Sequence, residues 1–370
     1  MTWLPRMAVL ACALPMALGG QADATMFRGG PDHLGVYTSA TTPTLAVTVW
    51  RFKTHGKVYS SPMLYGGLVI IGSSDDTVYA VSAATGAVRW KVGTQGAVNS
   101  SPAAAKGLVY FNSADGKLYA VDALTGKVRW TFATAGERRF TARGIHGLVP
   151  ATETMPDPFD VFLSSPVIDH GVVYFGSGDS HVYAVDANSG VLKWKFATGD
   201  VVHATPAAAG GVVYVGSWDS YFYALDAATG RERWRFATGT DTVTHNQVGL
   251  PSSAAVAGGM VYFGCRDGFL YALDANTGAA KWKHDNKHGW VVASPAVSKG
   301  TVYFPTSDGT RFKGLDALTG AVQVDLPNKA FTFSSAAIVN DMAFYGTSDG
   351  WLHAVDVKAH VERAAFQTDG

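Results

Sequence analysis

Residues 100–130, SSPAAAKGLVYFNSADGKLYAVDALTGKVRW, decide the fold of this chain. The segment contains apolar runs rich in Val, Tyr, Phe and Leu, in which alternate residues would face opposite sides of a sheet. The turns between the runs are Asp115-Gly116 and Thr125-Gly126, where glycine accepts the positive φ of a tight turn. The segment therefore predicts a four-stranded antiparallel meander.

The same pattern recurs along the chain with a period of 40 to 41 residues. Its proline position is occupied in order by Pro62, Pro102, Pro166, Pro206, Ala254, Pro295 and Ala336. Neighbouring copies are 40, 64, 40, 48, 41 and 41 residues apart, so about 24 extra residues precede Pro166 and about 8 precede Ala254. A four-stranded sheet has two apolar faces, each of which needs a neighbour. We therefore expect an all-β fold, a β-propeller of seven four-stranded antiparallel blades.

The two ends of the chain indicate how the ring closes. Val47 to Lys53 has the pattern of an outer strand, but the three strands that should precede it are missing. The seventh repeat ends in Val361 to Gln367 and has no Trp at its outer position. We expect the N-terminal strand to complete blade seven as a clasp. An eighth, degenerate blade formed by Met26 to Lys53 is the alternative.

Composition excludes several classes of protein. Apolar residues make up 47% of the chain and charged residues 16%, which is typical of an ordered β-rich globule. The 29 Lys and Arg residues equal the 29 Asp and Glu residues, so no long-range positive field attracts nucleic acid or anionic lipid. We expect one propeller domain over residues 25–370, and a monomer.

The first 24 residues have the organisation of a cleaved signal peptide. Arg6 precedes an apolar run from Met7 to Leu18, and Ala22-Asp23-Ala24 fits the small-x-small cleavage rule. Lipid anchoring at Cys12 is the alternative, although most of the apolar run follows that cysteine. No later run reaches the roughly 20 apolar residues of a transmembrane span. We therefore expect a periplasmic protein that retains one cysteine, Cys265, and no internal disulfide.

The motif Ala-x-Asp-x-x-Thr-Gly-x-x-x-Trp resembles the repeat of the PQQ-like β-propeller family. It is intact at residues 120–130, 224–234 and 272–282, with near copies at 80–90 and 184–194. We expect the tryptophans to pack between neighbouring blades; they are Trp50, Trp90, Trp130, Trp194, Trp234 and Trp282. We expect the aspartates to accept hydrogen bonds in the turn before Thr-Gly; they are Asp122, Asp186, Asp226, Asp274 and Asp316.

Three functions follow from this resemblance and from the residues. The one we expect is a non-catalytic binding or scaffold module of the bacterial cell envelope, similar to the barrel-assembly propeller of the Gram-negative outer membrane. A quinoprotein dehydrogenase is an alternative, for which the resemblance implies PQQ, calcium and a catalytic aspartate. The chain has neither an adjacent cysteine pair nor a Cys-x-x-Cys-His motif, so we expect no cofactor. The third function is a small-ligand or saccharide site, with or without catalysis.

The two long inserts, at residues 137–161 and 239–250, indicate where such a site would lie. Turns alternate between the two faces of a meander, so both inserts and the second-to-third-strand hairpins share one face. The candidate ligand-binding residues on that face are Arg138, Arg139, Arg143, His146, His203, Trp218, His245, Asn246, Gln247, Arg266 and Trp290. Basic, amide and aromatic groups could hold an envelope protein or an anionic small ligand. Alternatively, the first insert covers the channel and its arginines pair with its own acids, Glu153, Asp157 and Asp160.

The sequence contains no further signal for chemistry. No His-x-His, Cys-x-x-Cys or His-Glu-x-x-His spacing indicates a metal site. Cys265 occupies the repeat position that is serine at residues 73, 113, 177 and 217, which favours a small, buried residue at a strand end. We therefore assign no catalytic residue and no metal ligand.

Overall fold

The computed structural model describes residues 23–45, 48–137, 140–141, 154–155, 163–239, 249–250, 252–287 and 289–368. These residues form seven four-stranded antiparallel blades, in which the strands follow chain order from the inner to the outer edge. Within the first insert, Phe140–Thr141 and Thr154–Met155 form a separate two-stranded antiparallel sheet. The prediction of a seven-bladed, all-β propeller is therefore confirmed. No helix among these residues is both long enough and apolar enough to cross a membrane.

The strands are given from the inner to the outer edge of each blade. Those of blades 1 to 3 are Met63–Tyr65, Leu68–Ser73, Thr77–Ser82 and Val88–Gly93; Ala103–Ala105, Leu108–Ser113, Lys117–Asp122 and Val128–Ala133; Val167–Asp169, Val172–Ser177, His181–Asp186 and Leu192–Ala197. Those of blades 4 and 5 are Ala207–Ala209, Val212–Gly216, Tyr221–Asp226 and Glu232–Ala237; Ala255–Ala257, Met260–Gly264, Phe269–Asp274 and Ala280–Asp285. Those of blades 6 and 7 are Ala296–Ser298, Thr301–Pro305, Arg311–Asp316 and Val322–Pro327; Ala337–Val339, Met342–Gly346, Trp351–Asp356 and Val361–Gln367.

Burial follows from the position of each strand in its sheet. Second and third strands are buried on both faces, as in Val212–Gly216, whereas outer strands such as Val88–Gly93 alternate between exposed and buried residues. Six hydrophobic clusters join successive blades, from blades 1 and 2 to blades 6 and 7. None of the six joins blade 7 to blade 1.

At the outer rim, a tryptophan of one blade packs on the Thr-Gly turn of the next. Trp90 Nε1 donates to the carbonyl oxygen of Ala123 at 2.9 Å, and its ring covers Gly126, where a Cβ would lie 2.9 Å from the indole. The same bond joins Trp50 to Ala83, Trp130 to Ala187, Trp194 to Ala227, Trp234 to Ala275 and Trp282 to Ala317. Each ring therefore buries apolar area and satisfies its polar N–H across a blade boundary.

The repeated aspartates organise the same turns. Asp122 Oδ1 accepts hydrogen bonds from the backbone N–H groups of Leu124 and Thr125 and from the Thr125 hydroxyl. These bonds, led by the one from the hydroxyl, lower the pKa of Asp122. Asp186, Asp226, Asp274 and Asp316 make the equivalent bonds with the Ser or Thr three residues later. In all five turns, the carboxylate caps the turn that carries the glycine.

The N-terminal strand joins blade 7, but at the opposite edge from the predicted one. Val36–Tyr37 pairs in parallel with the inner strand Ala337–Val339, and blade 7 has its own outer strand, Val361–Gln367. The placement of Val47 to Lys53 as that outer strand was therefore wrong. Among its described residues, 48–53, Trp50 instead takes the indole position against blade 1, because it precedes Ser60 by the same ten residues that separate Trp90 from Ser100.

Residues 23–37, which we call the strap, run along the wall of the central channel. They contain the 3-10 helix Phe27–Gly29 and the strand Val36–Tyr37, and so do not build an eighth blade. His33 of the strap is fully buried, and its Nδ1 donates to the carbonyl oxygen of Ala254 at 3.2 Å. Burial, followed by the charge of Arg28, lowers the pKa of His33 to about 3. This histidine is therefore neutral in the folded protein at physiological pH.

We expect Trp194→Ala to lower the free energy of unfolding by about 3 to 5 kcal/mol, because the change leaves a cavity between blades 3 and 4. The measurement is urea denaturation followed by circular dichroism. Leu124→Ala is the control, because Leu124 is 79% exposed, and it should change stability by less than about 0.5 kcal/mol. Equal losses in the two variants would contradict the proposed role of the indole.

We also expect acid to destabilise the fold through His33. The unfolded state binds a proton on this side chain below pH 6.5, whereas the native state resists protonation down to a pKa of about 3, so stability falls as pH decreases between these values. Between pH 7.5 and 4.5, the wild type should lose about 3 kcal/mol more than His33→Gln. Urea denaturation at both values measures this difference, and identical losses in the two proteins would show that His33 is not the responsible group.

Candidate functional site

The candidate site lies on the insert face, which we define as the face carrying the second-to-third-strand hairpins and the links between blades. Each described link lies beside the hairpin of the blade it enters. The backbone N–H of Trp218 donates to Val201, that of Arg266 to Gly249, and that of Ser307 to Trp290. Side chains at equivalent positions of successive blades are therefore neighbours on this face.

Glu137, at the start of the first insert, contacts the link that enters blade 4. Its Oε2 lies 2.9 Å from Nε2 of His203, whose side chain is 9% exposed. Gly178 leaves room for this pair, because a Cβ at that position would lie 1.9 Å from the same carboxylate oxygen. The base of the first insert is thus held against blade 4 by a charge-assisted hydrogen bond when His203 is protonated.

Arg266 lies between two tryptophan rings. Its guanidinium carbon is 4.5 Å from the ring centroid of Trp218 and 5.1 Å from that of Trp290. Arg266 and Trp218 are only 6% and 5% exposed, so the cation–π contacts are largely shielded from water. His203 meets Trp218 edge to face, with ring centroids 6.5 Å apart. Together with Glu137, these residues form a continuous row across blades 3 to 6, which we call the insert-face row.

The hairpin aspartates hold this face together, and blade 6 departs from their pattern. In blades 1 to 5 the hairpin aspartate accepts a hydrogen bond from a tyrosine hydroxyl of its own blade, as Asp267 does from Tyr271. Blade 6 has Lys313 at the tyrosine position, and its Nζ donates to Asn286 of blade 5 instead. The pKa of the corresponding Asp308 is raised by burial, an effect that Trp290 and Arg266 oppose.

Two phenylalanines of the blade 6 to blade 7 link are exposed on the same face. Phe331 is 50% exposed and Phe333 is 43% exposed, while Thr332 between them is fully buried. Asn328 fixes this link, because its Nδ2 donates to the Thr332 hydroxyl at 3.3 Å and its Oδ1 accepts from Tyr345 at 2.7 Å. The two rings are therefore presented to solvent by an ordered link.

The structure brings together four of the predicted site residues, His203, Trp218, Arg266 and Trp290. The other predicted residues lie outside the described residues; they are Arg138, Arg139, Arg143, His146, His245, Asn246 and Gln247. Neither Glu137 as the partner of His203 nor the exposed pair Phe331 and Phe333 was predicted from the sequence. The pair could have been found, because Phe331 stands at the repeat position that Trp290 occupies one link earlier.

No described residues form a group of three or more His, Cys, Asp or Glu side chains that could hold a metal ion. A cluster of acidic oxygen ligands for Ca²⁺ is therefore not found among the described residues. Cys265 is fully buried, and its Sγ lies 3.7 Å from the carbonyl oxygen of Gly249. Burial raises the pKa of this thiol, which removes its nucleophilic form at neutral pH.

We expect Cys265 to be unreactive in the folded protein. The native mature chain should not react with the aromatic disulfide reagent DTNB. In guanidinium chloride, each chain should release one equivalent of the reagent's aromatic thiolate, since the Cys265 thiol becomes accessible only on unfolding. Absorbance at 412 nm measures the reaction. Rapid labelling of the native protein would show that the end of the second insert, at Gly249, opens in solution.

Comparisons with known structures agree with the propeller fold. Europium-containing methanol dehydrogenase superposes with a TM-score of 0.75 and 16% identity, over 94% of this chain and 86% of that chain. The quinohemoprotein alcohol dehydrogenase of Comamonas testosteroni superposes with a TM-score of 0.74 and 16% identity, over 94% and 73% of the two chains. At these identities the likeness shows the fold alone. No curated protein sequence matches the chain.

A further solved structure and a family match identify the type of propeller. BamB from Moraxella catarrhalis superposes with a TM-score of 0.67 and 18% identity, over 83% of this chain and 88% of that chain. Residues 46–155, 149–286 and 250–363 each match the family described as outer membrane protein assembly factor BamB. Together these matches run through all seven blades. The chain therefore belongs to the BamB family of PQQ-like β-propellers.

Proposed function

We propose that this chain is a non-catalytic scaffold of the bacterial cell envelope that binds a protein partner on its insert face. The observation that carries the proposal is the exposed pair Phe331 and Phe333. Aromatic side chains of this kind act as anchors in protein interfaces, where they fill pockets of the partner. The ordered link favours binding further, because little side-chain and loop entropy is lost when the partner binds.

The insert-face row supports the same function as a rigid platform. Trp218 and Arg266 are almost completely buried, and His203 is engaged by Glu137, so the row presents a packed surface. Such packing holds the bases of both inserts and the neighbouring Trp290 link in fixed positions. Long loops on a rigid scaffold are the usual carriers of binding function in repeat folds.

The location and the kind of partner draw support from the family. Its description names outer membrane protein assembly, which favours a protein partner over a small substrate. The predicted signal peptide, residues 1–24, and the predicted absence of a later apolar span point to the periplasm. A role in handling outer-membrane proteins, or the proteins that assemble them, is the most specific form of this proposal.

We expect a photo-reactive benzophenone amino acid at position 331 to cross-link a discrete protein in solubilised Gram-negative envelopes. The Phe331 ring would sit inside the interface, so the reactive group would contact the partner. Mass spectrometry identifies the adduct. Phe333→Ala in the same variant should reduce the adduct at least about fivefold, because truncating an interface anchor costs about 1 kcal/mol or more.

The matched controls lie on the opposite face, on the turns of Leu124 and Leu318, which are 79% and 76% exposed. Benzophenone at position 124 should give no adduct, and Leu318→Ala should leave the position 331 adduct unchanged. Equal cross-linking from positions 331 and 124 would contradict an insert-face interface. A rise in melting temperature with PQQ that requires Ca²⁺ would contradict the non-catalytic role, since a ligand at 100 times its Kd adds about 2.7 kcal/mol.

A further inference from the structure

The inner strands present their open edges to the central channel, and the strap satisfies these edges. In six blades the middle residue of the inner strand donates its backbone N–H to a strap carbonyl. The pairs are Leu64 to Ala24 (3.2 Å), Ala104 to Thr25 (2.6 Å), Ala208 to Pro31 (2.7 Å), Val256 to Asp32 (2.9 Å), Val297 to Leu34 (2.9 Å) and Ile338 to Gly35 (2.8 Å). Such bonds recognise the backbone carbonyls of a segment whatever its side chains.

The side chain of Arg28 adds a second kind of contact between the strap and the channel wall, one that depends on the residue type. Its Nη1 donates to the carbonyl oxygen of Ala336, and its Nη2 donates to that of Pro295 at 2.8 Å. Both carbonyls stand at the repeat's proline position, as does that of Ala254, which accepts from His33. The guanidinium is 4% exposed and bridges blades 6 and 7. A lysine ammonium lacks the planar fork that reaches two carbonyls in fixed directions.

Gly35 contacts the Arg28 guanidinium and limits which residue can stand at that position. A Cβ on Gly35 would lie 2.1 Å from the Arg28 Nη2 atom, and Gly35 has a positive φ of 67°. Any larger residue would therefore displace the guanidinium from its carbonyls. We therefore expect the channel wall to accept a segment only where an arginine and a glycine are spaced as in the strap.

The strap also connects the two end blades, which none of the six hydrophobic clusters joins. It begins at blade 1, where Ala24 accepts from Leu64, and it ends at blade 7, where Gly35 accepts from Ile338. It therefore links blades 1 and 7 along the channel wall, past the blades between them, and not across their shared boundary. Residues 38–45 then lead away from the channel, and the side chains of Thr38, Ala40, Thr41, Thr42 and Thr44 are exposed.

We propose that the channel wall is a recognition groove for a peptide that carries arginine and glycine in the conformation of the strap, and that the strap is its resident, exchangeable occupant. The groove binds backbone carbonyls through the inner-strand edges and one side chain through the carbonyls of Pro295 and Ala336. A partner protein with a segment of the same chemistry, including the turn at Phe27–Gly29, can take the place of the strap.

The test begins with the folded full chain carrying a site-specific protease sequence between Ala40 and Thr41. After the chain is cut, a fluorescent synthetic peptide of residues 23–40 is added in excess. We expect the labelled peptide to replace the resident strap and to co-elute with the ring in size-exclusion chromatography. The same peptide with Arg28→Ala should incorporate at least about tenfold less, because it lacks two charged hydrogen bonds. A Thr38→Ala peptide is the matched control and should incorporate like the wild type.

Failure of exchange over days, or equal incorporation of the wild-type and Arg28→Ala peptides, would overturn the proposal. A second variant covers the case in which the cut chain unfolds. Full-length, uncut Arg28→Ala should bind the labelled wild-type peptide at least about tenfold more tightly than the uncut wild-type chain does, because its resident strap competes less well. Equal binding to the two uncut chains would also overturn the proposal. Neither readout depends on the insert face.

Discussion

The structure depends on one contact that recurs at the outer rim, an indole N–H donated to the carbonyl oxygen ahead of the next blade's Thr-Gly turn. A Cβ on the turn glycine would lie 2.6 to 2.9 Å from the ring, so the tryptophan and the glycine require each other. The contact fixes how each sheet is rotated relative to its neighbour. From Trp50 to Trp282 it sets a regular frame. The links, the hairpins and the inner strands therefore repeat at regular positions around the ring. For this reason residues far apart in the chain occupy equivalent positions in their blades.

This frame is also what the sequence predicts best. The four strands, the turn aspartates such as Asp122 and the rim tryptophans are specified within each repeat of about 40 residues, and seven copies reinforce one another. Turn alternation likewise predicts that the inserts share a face with Trp218 and Arg266. The contacts between His203, Trp218, Arg266 and Trp290 follow from this regular placement and could be anticipated as a neighbourhood, although the sandwich of Arg266 between two rings could not.

The features that escaped prediction depend on contacts between distant parts of the chain. Glu137 and His203 are 66 residues apart, and neither belongs to the repeat. The path of the strap is a stronger example, since Arg28 and Ala336 are 308 residues apart and the strap carries no repeat motif. Reasoning from the outer-strand pattern of Trp50 placed the N-terminus at the rim, where only its later residues lie. Hydrophobic periodicity describes a strand's faces but gives no information about which open sheet edge will accept a segment.

The strap has a consequence for the order in which the molecule takes shape. Its first partner, Leu64, lies close to it in the chain, whereas its last, Ile338, lies about 300 residues further on. Because contacts between residues far apart in sequence form slowly, the strap is fully paired only after the last blade has folded. Until then the chain is an open arc with unpaired inner edges, the condition in which strands of different chains pair wrongly. Folding of the last blade therefore ends the period in which the protein is vulnerable to aggregation.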